Sequence, residues 1–574
     1  MKNINKLSLL MAISILGATT PSTNYASEAV QQTSKDVHFS GNYLSGQFAR
    51  EHGDVESAIH YLRKVQQQDP GNTRVISQLL GMLLLQGKID YAVELASTSD
   101  KAHSNEALSV LLVTLKDIKE NKLDDAAATL EQASESGPVQ LWQPLMAAWL
   151  DLGRHKITKP LIIEQFSVDV GKAAPLVNYH LALINEQAGF IDAATQNFKN
   201  AVEDPQNPPG LVIGPLLRFY AQHNKPDALQ AIVKNYTKLH PEAANIQGIP
   251  VITTAKDGVA EVLYAMGGIM LGADITNDAV IYLQMTLYIN PDFTDAALAL
   301  GDAYVQLQQY DMANASYSKV KPDQQAYVKA QLEIAVNEDR LGKLDAALAR
   351  LDKMEQHSTP AAAASLITRG DLLRTHMRYA EAIDAYTKAM GRVPELNVTY
   401  WPVLFARASC YERLGKWHDA EQDLQQALKL SPNQPDILNY LGYGWLEHGV
   451  HLAEARTMIE TAFKASPNNA EIADSMGWSL YLQGHYEKAA EFIEKAVELL
   501  PGDPTVNDHL GDVYWRLGRK TEARYQWQRS LSFAPEQPLT NNLQRKIKDG
   551  LPAASTSDTV SDLSGDAPVK LATP

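Results

Sequence analysis

The sequence predicts an all-α protein, a superhelical solenoid of about fourteen helix pairs in two blocks. Three observations carry that prediction: alanine returns at a fixed interval, glycines return ahead of it, and proline returns behind it. Stepping back from Ala523, the residues Ala489, Ala455, Ala420 and Ala382 follow at intervals of 34, 34, 35 and 38. The series continues through Ala347, Ala313 and Ala279 and, after a gap of 51, through Ala228, Ala194, Ala126, Ala92 and Ala58 at steps of 34, one of them doubled. Pro160 occupies the vacant register of the doubled step. A sustained period near 34 residues belongs to arrays of helical pairs, in which each pair is too small to bury its own apolar face and stacks on its neighbours.

Each recurring residue has a mechanical reason. A glycine in the first helix of the pair, at Gly301, Gly370, Gly442, Gly477 and Gly511, removes a side chain so that the second helix can approach. A second glycine, five residues before the alanine at Gly53, Gly87, Gly189, Gly342, Gly415, Gly484 and Gly518, ends the first helix in a tight turn. The alanine is small because a larger side chain would overpack a close helix contact, at about 1–3 kcal/mol. A proline twelve residues after it, at Pro70, Pro291, Pro394, Pro432, Pro467, Pro501 and Pro535, stops the second helix, since proline cannot continue the hydrogen-bond ladder.

In the last unit these positions read Leu510, Gly511, Tyr514, Gly518, Ala523, Trp527 and Pro535, and in the unit before it Met476, Gly477, Gly484, Tyr486, Ala489, Ala496 and Pro501. The pattern resembles the tetratricopeptide repeat over roughly residues 39–535. It is sharpest from residue 363 onward and weakest between about 139 and 260. The segment NDHLGDVYWRLGRKTEARYQWQRSLSFAPE is similar to the end of the Gram-negative envelope family that contains the adaptor lipoprotein of carboxyl-terminal processing proteases. That resemblance implies a helical scaffold that delivers bound proteins to a protease. The adaptor is lipid-anchored through a cysteine that this chain lacks.

The remaining segments follow in chain order. Lys2 and Lys6 precede an apolar run from Leu7 to Leu16 and then small residues, which reads as a signal peptide over residues 1–29. The run is shorter than the roughly 20 residues a membrane span needs, so the expected product is a soluble periplasmic or otherwise exported protein without a transmembrane helix. Residues 30–38 read as a flexible leader, 39–240 as the first block, 241–259 as an irregular connector rich in proline, glycine and β-branched residues, and 260–542 as the second block. Residues 543–574 read as a disordered tail, begun by a basic helical end, LQRKIKDG, because their composition buries too little apolar area to order them.

Composition bears on function. The chain has 45% hydrophobic residues and a formal charge of -16. The charge argues against a partner with a phosphate backbone, so nucleic acid is not expected. Cys410 is the single cysteine, which leaves no internal disulfide and reads as a buried apolar residue. Gly81, Gly87 and Lys88 miss the spacing of a phosphate loop, and Ile89 replaces the hydroxyl such a loop needs. His448 and His451 have a metal-like separation but no third ligand, and read as surface residues, as do His509 and Arg516. No catalytic, cofactor or metal residues are expected.

In stacked helix pairs the first helix lines the inner face, and a single helical stripe of it faces a partner. That stripe gives Asn439 and Tyr443, then Asp474 and Trp478, then Asp508, Asp512 and Trp515 as partner-binding residues, an aromatic and acidic surface suited to segments with basic and apolar residues. The reading that follows is an exported scaffold or adaptor, with presentation of substrates to an envelope protease as its specialised form. A component of a secretion, pilus or exopolysaccharide assembly system shares the same physics. The alternative of a different class is an enzyme subunit with a catalytic segment in 139–260, where the repeat decays.

Overall fold

The computed structural model describes residues 26–98, 107–133, 139–165, 173–202, 210–223, 234–236, 238, 251–323, 326–356 and 359–552, and for residues 26–37, 165, 359 and 360 the backbone alone. The expected signal peptide lies outside them up to residue 25. The described residues are helical throughout, without β-strand, and none of their helices is long and apolar enough to cross a membrane. The chain divides into two compact units, Met1–Ala330 and Gln331–Pro574.

The first unit contains α1 (Ala26–Glu51), α2 (Val55–Gln68), α3 (Thr73–Leu85), α4 (Ile89–Thr98), α5 (Ala107–Lys119), α6 (Leu123–Leu130), α7 (Val139–Gly153), α8 (Ala174–Gln187), α9 (Ile191–Ala201), α10 (Gly210–Gln222), α11 (Ala255–Gly272), α12 (Thr276–Ile289), α13 (Thr294–Gln306) and α14 (Tyr310–Tyr317). The second follows α15 (Tyr327–Arg340), in whose first turn the division falls, with α16 (Leu344–Met354), α17 (Thr359–Thr375), α18 (Tyr379–Gly391), α19 (Trp401–Arg413), α20 (Trp417–Leu430), α21 (Pro435–His448), α22 (Leu452–Ala465), α23 (Ala470–Leu482), α24 (Tyr486–Leu499), α25 (Pro504–Arg516), α26 (Lys520–Ser532) and α27 (Gln537–Asp549).

Within a pair the fit is set by the glycine of the first helix. A Cβ on Gly511 would stand 2.4 Å from Trp527 of α26, one on Gly370 2.4 Å from Tyr386, one on Gly301 2.3 Å from Tyr317, and one on Gly477 2.3 Å from Ile493. The glycine is thus the socket for one large side chain of the second helix. The ruler alanines Ala58, Ala92, Ala279, Ala313, Ala347, Ala382, Ala420, Ala455, Ala489 and Ala523 are fully buried. Gly518 sits at φ +79 and Gly484 at φ +78, the left-handed turn that an L side chain resists. Short interhelix turns with caps such as Asp503, whose carboxylate accepts from the Val506 amide at 2.9 Å, restart each pair.

Several expectations are corrected. The leader at 30–38 is helical, as part of α1: it holds no glycine or proline to break a helix, and propagating an existing helix costs far less than nucleating one. Residues 255–259 of the expected connector form the start of α11, capped by Thr254, whose hydroxyl accepts from the Asp257 amide at 3.1 Å. The compact units do not divide at that connector, because the pairs after it pack back into the first unit. Gly258 lies so close to Trp149 of α7 that a Cβ would meet the indole at 1.9 Å. The Glu261 carboxylate accepts from Tyr179 of α8 at 2.9 Å, and the Tyr304 hydroxyl donates to the Leu85 carbonyl of α3 at 3.0 Å. Residues 543–552 of the expected tail are also ordered, as the end of α27 and the turn after it.

Candidate partner-binding surface

The seven residues expected to face a partner all lie in the second unit, on α21, α23 and α25, the first helices of three successive pairs. Their fates differ, and the difference begins with what the second helix of each pair carries. Where it carries a ring with a polar hydrogen, the residue after the socket glycine is aspartate and accepts from that ring. Tyr317 donates to Asp302 at 2.5 Å, Tyr386 to Asp371 at 2.7 Å and Trp527 to Asp512 at 2.8 Å. Where it carries Ile459 or Ile493 there is no polar hydrogen to accept, and the position after the glycine holds Tyr443 or Trp478. Isoleucine in the socket goes with an aromatic residue after the glycine.

Trp478 is half-buried and lies between two rings: His509 stacks on it with centroids 4.0 Å apart and planes at 14°, and Tyr481 stacks at 4.6 Å and 10°. Its indole N–H donates to Glu447 Oε1 at 3.3 Å. His509 is anchored from below by Asp474, whose Oδ2 is 2.8 Å from its Nδ1. Burial alone would depress the His509 pKa, but Asp474, with help from Asp508 and Asp512, outweighs it and raises the value to about 9. The imidazolium therefore persists at neutral pH over the Trp478 face, a cation–π contact on a desolvated ring.

Tyr443 of α21 is half-buried; burial first, then the nearby Glu447 and Asp474, push its hydroxyl well above the usual range. The Tyr440 hydroxyl donates to Glu412 at 3.1 Å. Asn439 Oδ1 and Asp474 Oδ1 are enclosed and accept no hydrogen bond among the described residues. Glu412 and Glu447 are exposed, so the accessible negative charge of this face comes from glutamates that the helical stripe did not single out.

Asp508 and Asp512 are placed differently from expectation. They are 5% and 4% exposed, and Lys546 of α27 lies between them, its Nζ 2.9 and 2.8 Å from the two oxygens of Asp508 and 2.8 Å from Asp512 Oδ2. Asp512 spends its other oxygen on Trp527. Burial and the Asp512 charge raise the Asp508 pKa, and Lys546 opposes the rise. The expected acidic surface is therefore a buried cluster at this end of the array, two carboxylates bridged by one ammonium, because a charge removed from water must be paired. Trp515 is likewise engaged: its N–H donates to the Leu551 carbonyl at 3.2 Å, and Arg516 donates to the Pro552 carbonyl at 2.7 Å. His509 is buried rather than at the surface, and Arg516 also reaches the Tyr481 hydroxyl at 3.2 Å.

Sequence reasoning missed Tyr481, Glu447, Glu412 and Lys546. The fifteen-residue separation between Asp512 and Trp527 repeats at Asp302 and Tyr317 and at Asp371 and Tyr386, and was the available signal that Asp512 belongs to the framework.

Tetratricopeptide-repeat family models match residues 332–396, 401–434 and 470–503. The chain carries tetratricopeptide repeats. A TPR repeat-containing protein of Pseudomonas aeruginosa, PA4667, is 29% identical over 208 residues, 36% of this chain and 34% of that protein. Human aspartyl/asparaginyl beta-hydroxylase is 26% identical over 35% of this chain and 27% of its own length. The alignments thus span about a third of these curated relatives' lengths. Among solved structures, the APC/C hetero-tetramer Cut9-Hcn1 is similar over 89% of this chain and 96% of the other, at a TM-score of 0.39 and 14% identity, and MamA over 29% and 94%, at 0.24 and 24%. Tetratricopeptide repeats generally mediate binding to other proteins, and of the three helices described above α23 lies within a matched segment.

Proposed function

We propose that this chain is an exported interaction scaffold whose second unit holds partner segments along the inner face of α21, α23 and α25. The observation that carries the reading is Trp478: a large ring next to a socket filled by isoleucine, stacked between Tyr481 and His509, with Glu447 on its N–H. A pre-stacked ring offers contact area at low entropic cost, and tryptophan is enriched among residues that dominate interface energies. Exposed Glu447 on the Trp478 N–H, and exposed Glu412 on the Tyr440 hydroxyl, favour segments that combine lysine or arginine with apolar side chains. Asn439, Tyr443 and Asp474 serve as the wall of this groove.

The export half of the reading rests on the amino-terminal lysines and the apolar run after them. Delivery of bound proteins to an envelope protease is its specialised form, supported by the resemblance of the last repeat to the protease adaptor family. A secretion or surface-polymer assembly role would use the same groove. A catalytic segment within 139–260 is the weaker reading: the described part of that stretch forms α7 to α10 and the start of α11, with an irregular passage at 154–165.

The test is a pair of charge and contact changes in the native compartment. Glu447→Lys combined with Trp478→Ala should abolish crosslinking of partners to the inner face while the helical circular dichroism is unchanged. Retained crosslinking would reject the groove.

A further inference from the structure

The last repeat of the array is occupied by the chain's own carboxyl-terminal segment. Three inner-face residues of α25, Asp508, Asp512 and Trp515, lie where a partner would be gripped, and each is engaged by residues 546–552. Lys546 supplies an ammonium to both carboxylates. Four residues on, Gly550 turns at φ +75, and a Cβ there would collide with Trp515 at 2.0 Å, so only glycine lets the backbone lie on the indole. Beyond the turn, the carbonyls of Leu551 and Pro552 accept from Trp515 and Arg516.

α27 buries Leu543 and Lys546 and seats Leu539, Ile547 and, past its end, Leu551 half-buried on the same core, whereas α25 buries an unbroken run from Val506 to Tyr514. An element with few buried contacts opens at lower free energy than the core it covers. The electrostatic match is with the ammonium itself, because Asp508 and Asp512 lose the one cation bonded to both when α27 leaves, and among the described residues no other cation bonds to Asp508.

We infer that residues 537–552 are an exchangeable ligand in cis, and that α25 is a second recognition site, which takes from a partner protein a helix end carrying a lysine one turn before a glycine. This rests on the scaffold reading but concerns a site separate from Trp478. Binding in trans then requires α27 to lift, so the segment sets the affinity of this end of the groove. An external segment competes directly with Lys546.

The probe is a fluorescent synthetic peptide of residues 537–552, QPLTNNLQRKIKDGLP, titrated by anisotropy into the full-length chain. The unaltered chain should bind it weakly, and the Lys546→Ala chain at least tenfold more tightly, because its own segment no longer competes. A peptide carrying the same Lys546→Ala change should bind neither. Equal affinity of the two chains for the natural peptide would overturn the inference. Hydrogen exchange on the unaltered chain keeps it testable if the variant folds poorly: amides of 543–549 should exchange at least tenfold faster than those of 506–516, and matched rates would show that α27 is an inseparable part of the repeat. Because Trp478 and Glu447 are untouched, failure here would leave the inner-groove reading standing.

Discussion

Trp527 donates its indole N–H to Asp512 at 2.8 Å while its ring fills the space left by Gly511, so one aromatic residue of α26 fixes both the glycine and the aspartate of α25. The same triangle joins Gly370, Asp371 and Tyr386, and Gly301, Asp302 and Tyr317. It is the unit of packing that the Gly-Asp dipeptide encodes.

Gly511→Ala should therefore destabilise the second unit by about 1–3 kcal/mol through overpacking against Trp527. Trp527→Phe should cost about as much, since it keeps most of the ring but leaves a buried carboxylate short of one donor. Urea unfolding of each variant checks both. A Gly511→Ala protein as stable as the parent would mean that the socket has slack.

His509 gives the second unit a pH dependence of definite sign. Its pKa rises on folding from the ordinary 6.5 to about 9, so the folded state holds the proton more tightly and the stabilisation is complete below about pH 6.5. It is lost as pH rises through 9. The fall should amount to about 1–3 kcal/mol, measured as the change in urea midpoint between pH 6 and pH 9.5. His509→Gln should flatten that change.

Glu261 does the same for the first unit with a carboxyl. Burial raises its pKa from 4.5 to about 7, partly offset by the hydrogen bond from Tyr179. A carboxyl raised in this way stabilises below about pH 4.5 and loses that contribution as pH climbs through 7. Glu261→Gln keeps an acceptor for Tyr179 without the charge, and should stabilise the chain by about 1–3 kcal/mol at pH 8 and have little effect at pH 4.5. Thermal melts at the two pH values would show the difference.

Much of the framework was legible because the repeat states it many times over. Ala382, Ala420, Ala455, Ala489 and Ala523 are all buried where one ruler put them, and Gly484 and Gly518 turn as their spacing required. What repetition does not state was lost. Contacts such as Tyr304 with Leu85, or Gly258 with Trp149, join helices far apart in sequence and leave no local period, so the return of α11 to α13 into the first unit had no signal. Lys546 lies past the last ruler position, and its polar helix reads like a tail by composition, although Leu539, Leu543 and Ile547 on the core and one ammonium between two carboxylates hold it. The inner-face stripe named Trp478 and Tyr443 from geometry alone, yet it could not tell them from Asp512, whose duty is set by the residue in the facing helix.

The inner groove of the second unit is tested most directly by placing a photoreactive side chain at Glu447, beside Trp478, and in a parallel chain at Glu491, an exposed position on α24, the second helix of its pair. Crosslinking in the native compartment should capture partner segments rich in lysine, arginine and apolar residues from position 447, and little from 491. Equal capture from both positions, or capture from 491 alone, would contradict a partner held on the inner face.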